Sequence, residues 1–195
     1  MALRELIGYA LLCVGGVSVA VAGGTHGLGE WRRQEARRSW EAAEARSLVD
    51  MARKSAMLDV GVNLPLATGA PVARLLIPRL GLDEIVLEGV DDYSLNAGPG
   101  HLPGSALPGE RGNSVISAHR DRHFSRLGDI QVGDTVLTDS GQAAIRWVVK
   151  SKRVVAANAP ALFRTSDATL TLTTCWPIRY FGTAPERLIV TAKRL

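Results

Sequence analysis

The sequence predicts an all-β fold of short strands, arranged as a closed barrel or a sandwich. From residue 72 onward, roughly seven short apolar runs are separated by turn residues at regular spacing. The 195-residue chain contains 20 Gly and 9 Pro but only 5% aromatic residues, which suits a turn-rich β domain. In residues 168–177, alternation puts Leu170 and Leu172 on one face of a strand and Thr171, Thr173 and Cys175 on the other.

Two segments precede the β region. Leu6–Gly24 carries no charge over 19 residues, about the length that crosses a bilayer, so we expect a transmembrane anchor. Because Ala20–Ala22 resembles a signal-peptidase site, cleavage is the alternative. Residues 30–58 contain no Pro or Gly and predict a helix, whose weak apolar stripe favours a solvated stalk. The predicted divisions are an anchor over 1–29, a stalk and linker over 30–71, and a β domain over 72–195.

Within the β domain, each expected strand is bounded by turn residues. The expected strands are 73–82 and 84–90 around Gly81, 113–119, 134–140 and 142–157 in a hairpin around Ser140–Gly141, 168–177, and 187–194. Residues 98–104, GPGHLPG, are too broken by Pro and Gly for a strand, 123–130 predict one or two helical turns, and 158–166 predict a loop. In the last strand Leu188, Val190 and Ala192 are expected to face the core, and Arg187, Ile189, Thr191 and Lys193 the other side.

Several functional classes find no support in the sequence. The net charge of +4 is dispersed, without the basic and aromatic stripe of a nucleic-acid-binding protein. Cys13 lies in the apolar run, so no disulfide with Cys175 is expected, and there is no CxxC pair. His119 and His123 have the spacing of helical zinc ligands, but Arg120 stands where the zincin motif requires Glu. We therefore expect neither a metal nor a cofactor.

Cys175 is the candidate nucleophile, since it ends a strand on the face away from the core. A cysteine nucleophile needs an imidazole that keeps the thiol ionised and protonates the leaving group. Among His101, His119 and His123, His119 is best placed, because it ends the strand 113–119 before a polar turn.

An arginine is a suitable donor to the oxyanion that forms during acyl transfer. Arg187 opens the last strand on the face that Cys175 occupies, and Arg179 and Arg120 are the rival candidates.

With TLTTC at 171–175, SAHRD at 117–121 and Arg187 twelve residues after the cysteine, residues 72–195 resemble the sortases, which are membrane-anchored cysteine transpeptidases of bacteria. The segment 98–121 is similar to class D enzymes. The resemblance implies an eight-stranded β-barrel with short helices, in which Cys175, His119 and Arg187 meet at one groove.

The resemblance also implies the reaction and its partners. Cys175 attacks a carbonyl of an LPxTG-like C-terminal sorting signal, Arg187 binds the substrate or the oxyanion, and His119 moves the proton. An amine acceptor then receives the surface protein. The loop 158–166 corresponds to a substrate-groove loop, so Ala161 and Leu162 are candidate substrate contacts, and Thr173 and Thr174 before the cysteine are two further candidates.

The resemblance places the catalytic domain outside the bacterial cytoplasmic membrane, anchored by a single pass. The positive-inside rule points the other way, because Arg32, Arg33, Arg37 and Arg38 follow the apolar run; Glu residues interleave with them. The Ala- and Arg-rich composition resembles sortases of Gram-negative bacteria. Two alternatives remain: a cysteine protease that trims surface proteins, and an anchored binding module with an incidental thiol.

Overall fold

The computed structural model describes residues 31–43, 66–141, 144–159 and 164–195. Helix α1 spans residues 31–43, and helix α2 spans Asp92–Ala97. The strands are β1 (Pro71–Ile77), β2 (Leu82–Glu88), β3 (Gly100–His101), β4 (Asn113–Ser117), β5 (Thr135–Asp139), β6 (Ala144–Ala156), β7 (Thr169–Trp176) and β8 (Glu186–Arg194). Short 3₁₀ turns occupy Pro78–Leu80 and Leu127–Asp129.

The eight strands form a closed barrel in the order β1-β2-β3-β4-β7-β8-β6-β5. Pairing of β1 with β5 closes it. The β2–β3 and β4–β7 pairs are parallel, and the remaining pairs are antiparallel. The predicted eight-stranded barrel is therefore confirmed, and the sandwich alternative is wrong.

Period-two alternation along the strands fills the barrel. The core includes the residues predicted to face inward from the last two strands, namely Leu170, Leu172, Leu188, Val190 and Ala192. Trp147 is fully buried among them and donates from Nε1 to Thr138 Oγ1 at 2.8 Å, so its one polar atom is satisfied. The core thus fixes which face of β7 and β8 points outward.

The GPGHLPG segment contains the two-residue strand β3, which the sequence analysis does not predict. A Cβ on Gly100 would lie 2.1 Å from the Gly89 carbonyl oxygen, so only glycine allows this approach. His101 follows and is buried, with Nδ1 2.6 Å from Glu88 Oε2 and Nε2 donating to Ala106 O at 3.0 Å. This buried network gives an otherwise irregular segment a fixed position beside β4.

Helix α1 packs on the barrel, which corrects the prediction of a solvated stalk for residues 31–43. Ala36 and Trp40, one turn apart, are each 8% exposed and contact Ile85, Leu87 and Ala97. One tryptophan supplies enough apolar surface for docking even though the stripe along the helix is narrow.

The predicted membrane segment Leu6–Gly24, with Cys13, lies outside the described residues, as does the part of the predicted stalk over 44–65. Among the residues that the structure describes, no helix has the length and apolarity to cross a membrane.

Candidate active site

Cys175 lies where β7 emerges from the core. The six preceding residues of the strand, Thr169–Thr174, are all buried, whereas Cys175 is exposed and carries a free thiol. β7 is flanked by β4 on one side and β8 on the other. The sulfur is therefore accessible to solvent while its backbone is held by two strands.

Arg187 lies directly opposite Cys175 in the antiparallel β7–β8 pair. Residues paired in this way have Cβ atoms roughly 4.5–5.5 Å apart and side chains on the same face. Leu188, the next residue, is in the core, so Arg187 and Cys175 share the outer face. The strand register thus places the permanently charged Arg187 and the thiol of Cys175 on neighbouring positions of one face.

His119 lies on the other side of the cysteine. In the parallel β4–β7 pair Ser117 aligns with Thr173, and the ladder continues as the Ala118 N–H donates to Thr173 O at 3.2 Å. His119 comes next, level with Cys175 along the two chains. The ends of three adjacent strands, β4, β7 and β8, thus carry His119, Cys175 and Arg187 at neighbouring backbone positions.

The segment after His119 is a tight turn. The Phe124 N–H donates to His119 O at 3.1 Å, and residues 120–126 form turns, so His119 and His123 do not share a helix face. His123 is buried, and its Nδ1 lies 2.9 Å from Arg33 Nη2 of α1. Of the histidines that the structure describes, His119 is the one with a partly exposed side chain, because His101 and His123 are buried.

Arg120 ties this turn to residues 177–185, the connection between β7 and β8. Its guanidinium donates to the carbonyl oxygens of Pro177 at 3.3 Å, Tyr180 at 3.0 Å and Gly182 at 2.8 Å. Its Cζ also lies 5.6 Å from the centre of the Tyr180 ring. The sequence suggests Arg120 only as an oxyanion donor. Its role in holding the connection could not be predicted, because every residue type has a backbone carbonyl that can accept a hydrogen bond.

A cavity of about 490 Å³ adjoins the site. Trp176 and Arg179 line it from the β7 end and its connection, and Gly128 and Asp129 line it from the facing 3₁₀ turn. A Cβ on Gly128 would lie 3.2 Å from Trp176 Cζ3, so the glycine leaves room for the indole ring. Arg179 is exposed and does not lie on β8, unlike Arg187.

The structure describes two of the four predicted substrate contacts, and these two lie on opposite faces of β7. Thr173 shares the face of Cys175; it is buried, and its Oγ1 has no hydrogen-bond partner in the described part of the chain. Thr174 points to the opposite face, where its hydroxyl donates to Ala118 O at 2.7 Å. Ala161 and Leu162 lie outside the described residues.

Comparison with known families gives a match to the Sortase domain over residues 75–195. Among characterised proteins, sortase D of Bacillus subtilis is 32% identical over 162 residues, which cover 82% of this chain and 79% of that protein.

Solved structures give the same result. A sortase D5 transpeptidase of Clostridium perfringens superposes with a TM-score of 0.65 at 21% identity, covering 87% of this chain and 99% of its own. Sortase C1 of Streptococcus agalactiae gives a TM-score of 0.60 at 29% identity, covering 64% and 67%. The first of these likenesses supports the fold alone.

Proposed function

Because this chain belongs to the sortase family of cysteine transpeptidases, we propose that Cys175 cleaves an LPxTG-like sorting signal and passes the attached protein to an amine acceptor. The observation that carries the assignment of residues is the cross-strand pair of an exposed thiol and Arg187, with His119 level on the adjacent strand end. A buried, packed cysteine has no such surroundings.

In the first half-reaction the Cys175 thiolate attacks the carbonyl carbon of the scissile peptide bond, forming a C–S bond. Negative charge develops on the carbonyl oxygen, and Arg187 donates N–H groups to it from the neighbouring strand. His119 protonates the departing amine as the C–N bond breaks, which leaves a thioester on Cys175.

In the second half-reaction an acceptor amine enters the same groove. His119 takes a proton from the amine, whose nitrogen attacks the thioester carbon. A new C–N bond forms and the C–S bond breaks, so Cys175 returns as the thiolate. Water in place of the amine would give hydrolysis, which is the chemistry of the protease alternative.

The cellular setting is part of the proposal. The uncharged run Leu6–Gly24 supports a single-pass anchor in the bacterial cytoplasmic membrane, with the barrel on the outer side. The identity to sortase D supports a class D-like enzyme. Assignment to the Gram-negative group stays a prediction from composition.

The test uses the full chain in neutral detergent, since α1 packs on the barrel and truncation would remove it. The protein is incubated with an LPxTG-type peptide, with and without triglycine, and the products are identified by mass spectrometry. We expect a ligated product that is absent in Cys175→Ala. Cleavage without ligation would favour the protease, and an unchanged peptide would favour the binding module.

A further inference from the structure

A second cavity, of about 370 Å³, lies where α1 meets the barrel. Arg33 and Arg37 line it from α1, and Arg122 and Arg126 line it from the turn after His119. None of Cys175, His119 and Arg187 lines it. Its lining shares Ser125 and Arg126 with the cavity beside Trp176 and otherwise differs from it.

The charges around this cavity do not balance. Two carboxylates in the lining, of Asp83 and Glu84, face the same four guanidinium groups, and a third, of Asp129, lies outside the lining at 3.7 Å from Arg126 Nε. Asp83 is already engaged, because Arg74 donates to both of its oxygens at 2.8 and 2.7 Å. The hydrogen bond from Arg74 holds the pKa of Asp83 below its usual value, so this carboxylate stays ionised and paired with an arginine outside the cavity wall.

Arg122 differs from the other three arginines that line the cavity. Its guanidinium makes no ion pair or hydrogen bond with any residue that the structure describes, although its side chain is only partly exposed. Arg126, by contrast, donates to Leu80 O at 2.8 Å, and Arg37 donates to Asp83 O at 2.8 Å.

His123 lines the same wall and has a buried ring nitrogen without a partner among the described residues. Its Nδ1 lies 2.9 Å from Arg33 Nη2, and a guanidinium can only donate, so Nδ1 accepts and the ring proton is on Nε2. His123 is 7% exposed, and Nε2 is buried without a partner among the described residues. Such an unsatisfied donor is unfavourable unless an acceptor reaches it.

We propose that this cavity binds an oxyanion of the phosphate type. Its walls offer N–H donors from two chain segments, while the Glu84 carboxylate is already engaged, because Arg33 donates to its Oε1 at 2.9 Å. A phosphate group presents several acceptor oxygens in different directions, which matches guanidinium forks on opposite walls. Free phosphate and a phospholipid headgroup share this chemistry.

Binding there would join α1 to the turn that begins at the active site. The Arg122 N–H donates to His119 O at 3.4 Å, so an anion bonded to the Arg122 side chain also restrains the backbone beside His119. Ligand binding to the folded state alone stabilises it, and here the stabilised segments are 31–43 and 119–126.

The first experiment titrates inorganic phosphate and pyrophosphate into the full chain in neutral detergent by calorimetry. Arg122→Ala is compared with Arg111→Ala, because Arg111 is exposed, its side chain makes no hydrogen bond or ion pair with the described residues, and it lies outside the cavity. We expect saturable binding that Arg111→Ala retains and Arg122→Ala weakens about tenfold, the loss of one charge-assisted hydrogen bond.

His123→Asn sharpens the same titration. The Asn oxygen can still accept from Arg33, but the Nε2 donor is gone, so binding should weaken while the unliganded melting temperature changes little. Unchanged phosphate affinity in both Arg122→Ala and His123→Asn would overturn the proposed site.

A second arm distinguishes the source of the phosphate. The full chain is placed in nanodiscs of phosphatidylcholine alone or with phosphatidylglycerol, and hydrogen exchange is followed over 31–43 and 119–126. Protection by phosphatidylglycerol that Arg122→Ala abolishes identifies a headgroup. Phosphate binding without such protection identifies a soluble anion. Absence of both, or equal losses in Arg122→Ala and Arg111→Ala, contradicts the proposal.

Discussion

The two sides of Cys175 are built by different means. On the β8 side, Arg187 is placed by main-chain pairing, because it is the residue directly opposite the cysteine. On the β4 side, His119 lies beyond the end of its strand, in a turn whose neighbour Arg120 reaches three carbonyls of the β7–β8 connection. One half of the site is therefore a consequence of strand register, and the other half depends on side chains.

This difference implies different sensitivities to substitution. A register position persists when nearby side chains change, since the backbone hydrogen bonds remain. A turn held by one guanidinium loses several contacts when that single residue is replaced. Variants of Arg187 and Arg120 therefore separate placement from chemistry on the two sides of the cysteine.

The largest effect on the rate is expected for Arg187, which is placed by strand register. Arg187→Ala should lower kcat/KM for peptide ligation by about a hundredfold, the usual cost of removing one oxyanion donor, without changing the fold. Lys193→Ala is the control, because Lys193 lies on the same face of the same strand and donates to Thr169 Oγ1 at 2.7 Å. Equal rates for the two variants would show that the charge opposite the thiol has no special role.

A smaller effect on the rate is expected for Arg120, which holds the turn after His119. Arg120→Ala should lower kcat about tenfold by releasing the turn beside His119, because a misplaced group reacts less often. Hydrogen exchange over 177–185 should rise in parallel, and Arg120→Lys should restore part of both. Arg111→Ala, which removes an exposed charge outside both cavities, should leave both nearly unchanged. A lower rate with unaltered exchange would mean that Arg120 acts on the substrate instead.

The shared outer face of Cys175 and Arg187 could be predicted from the sequence for a physical reason. Alternation of Leu and Thr sets the faces of β7, and the same reading of β8 puts Arg187 on the outer face. Both patterns are local, so they survive without knowledge of the rest of the fold. The eight-stranded barrel is implied only by the resemblance to a family, and its strand order is not predicted, since β4 and β7 pair over a long sequence separation.

The remaining features could not be predicted because they depend on distant partners. Docking of α1 needs the Trp40 side chain and the surface of β2 together. Strand β3 exists because Gly100 can approach Gly89 closely. From its Gly and Pro content alone, this segment is expected to be a loop. The carbonyls that Arg120 binds belong to a connection whose path no residue pattern specifies.

The smallest effect is a loss of stability on acidification. The pKa of Asp83 is lowered, mainly by its hydrogen bond with Arg74, so its contribution is present above the ordinary pKa of Asp and is lost as pH falls through the lower folded value. Because the pair is partly exposed, the loss should be no more than about 1 kcal/mol.

The charge of Arg37 on α1 also lowers this pKa, so protonation of Asp83 weakens the attraction between α1 and the barrel. On acidification below about pH 4, hydrogen exchange over 31–43 should rise before exchange over 186–194, and Asp83→Asn should remove that pH step. Simultaneous opening of both segments would contradict a difference between register and side-chain contacts.

The most direct test is the intact mass of the full chain mixed with an LPxTG-type peptide in the absence of amine, followed by peptide mapping. The account predicts a thioacyl adduct on Cys175 that is retained in Cys13→Ser, is nearly absent in Arg187→Ala, forms more slowly in Arg120→Ala, and is discharged by triglycine. An adduct on another residue, or one that Arg187→Ala forms at the wild-type rate, would contradict it.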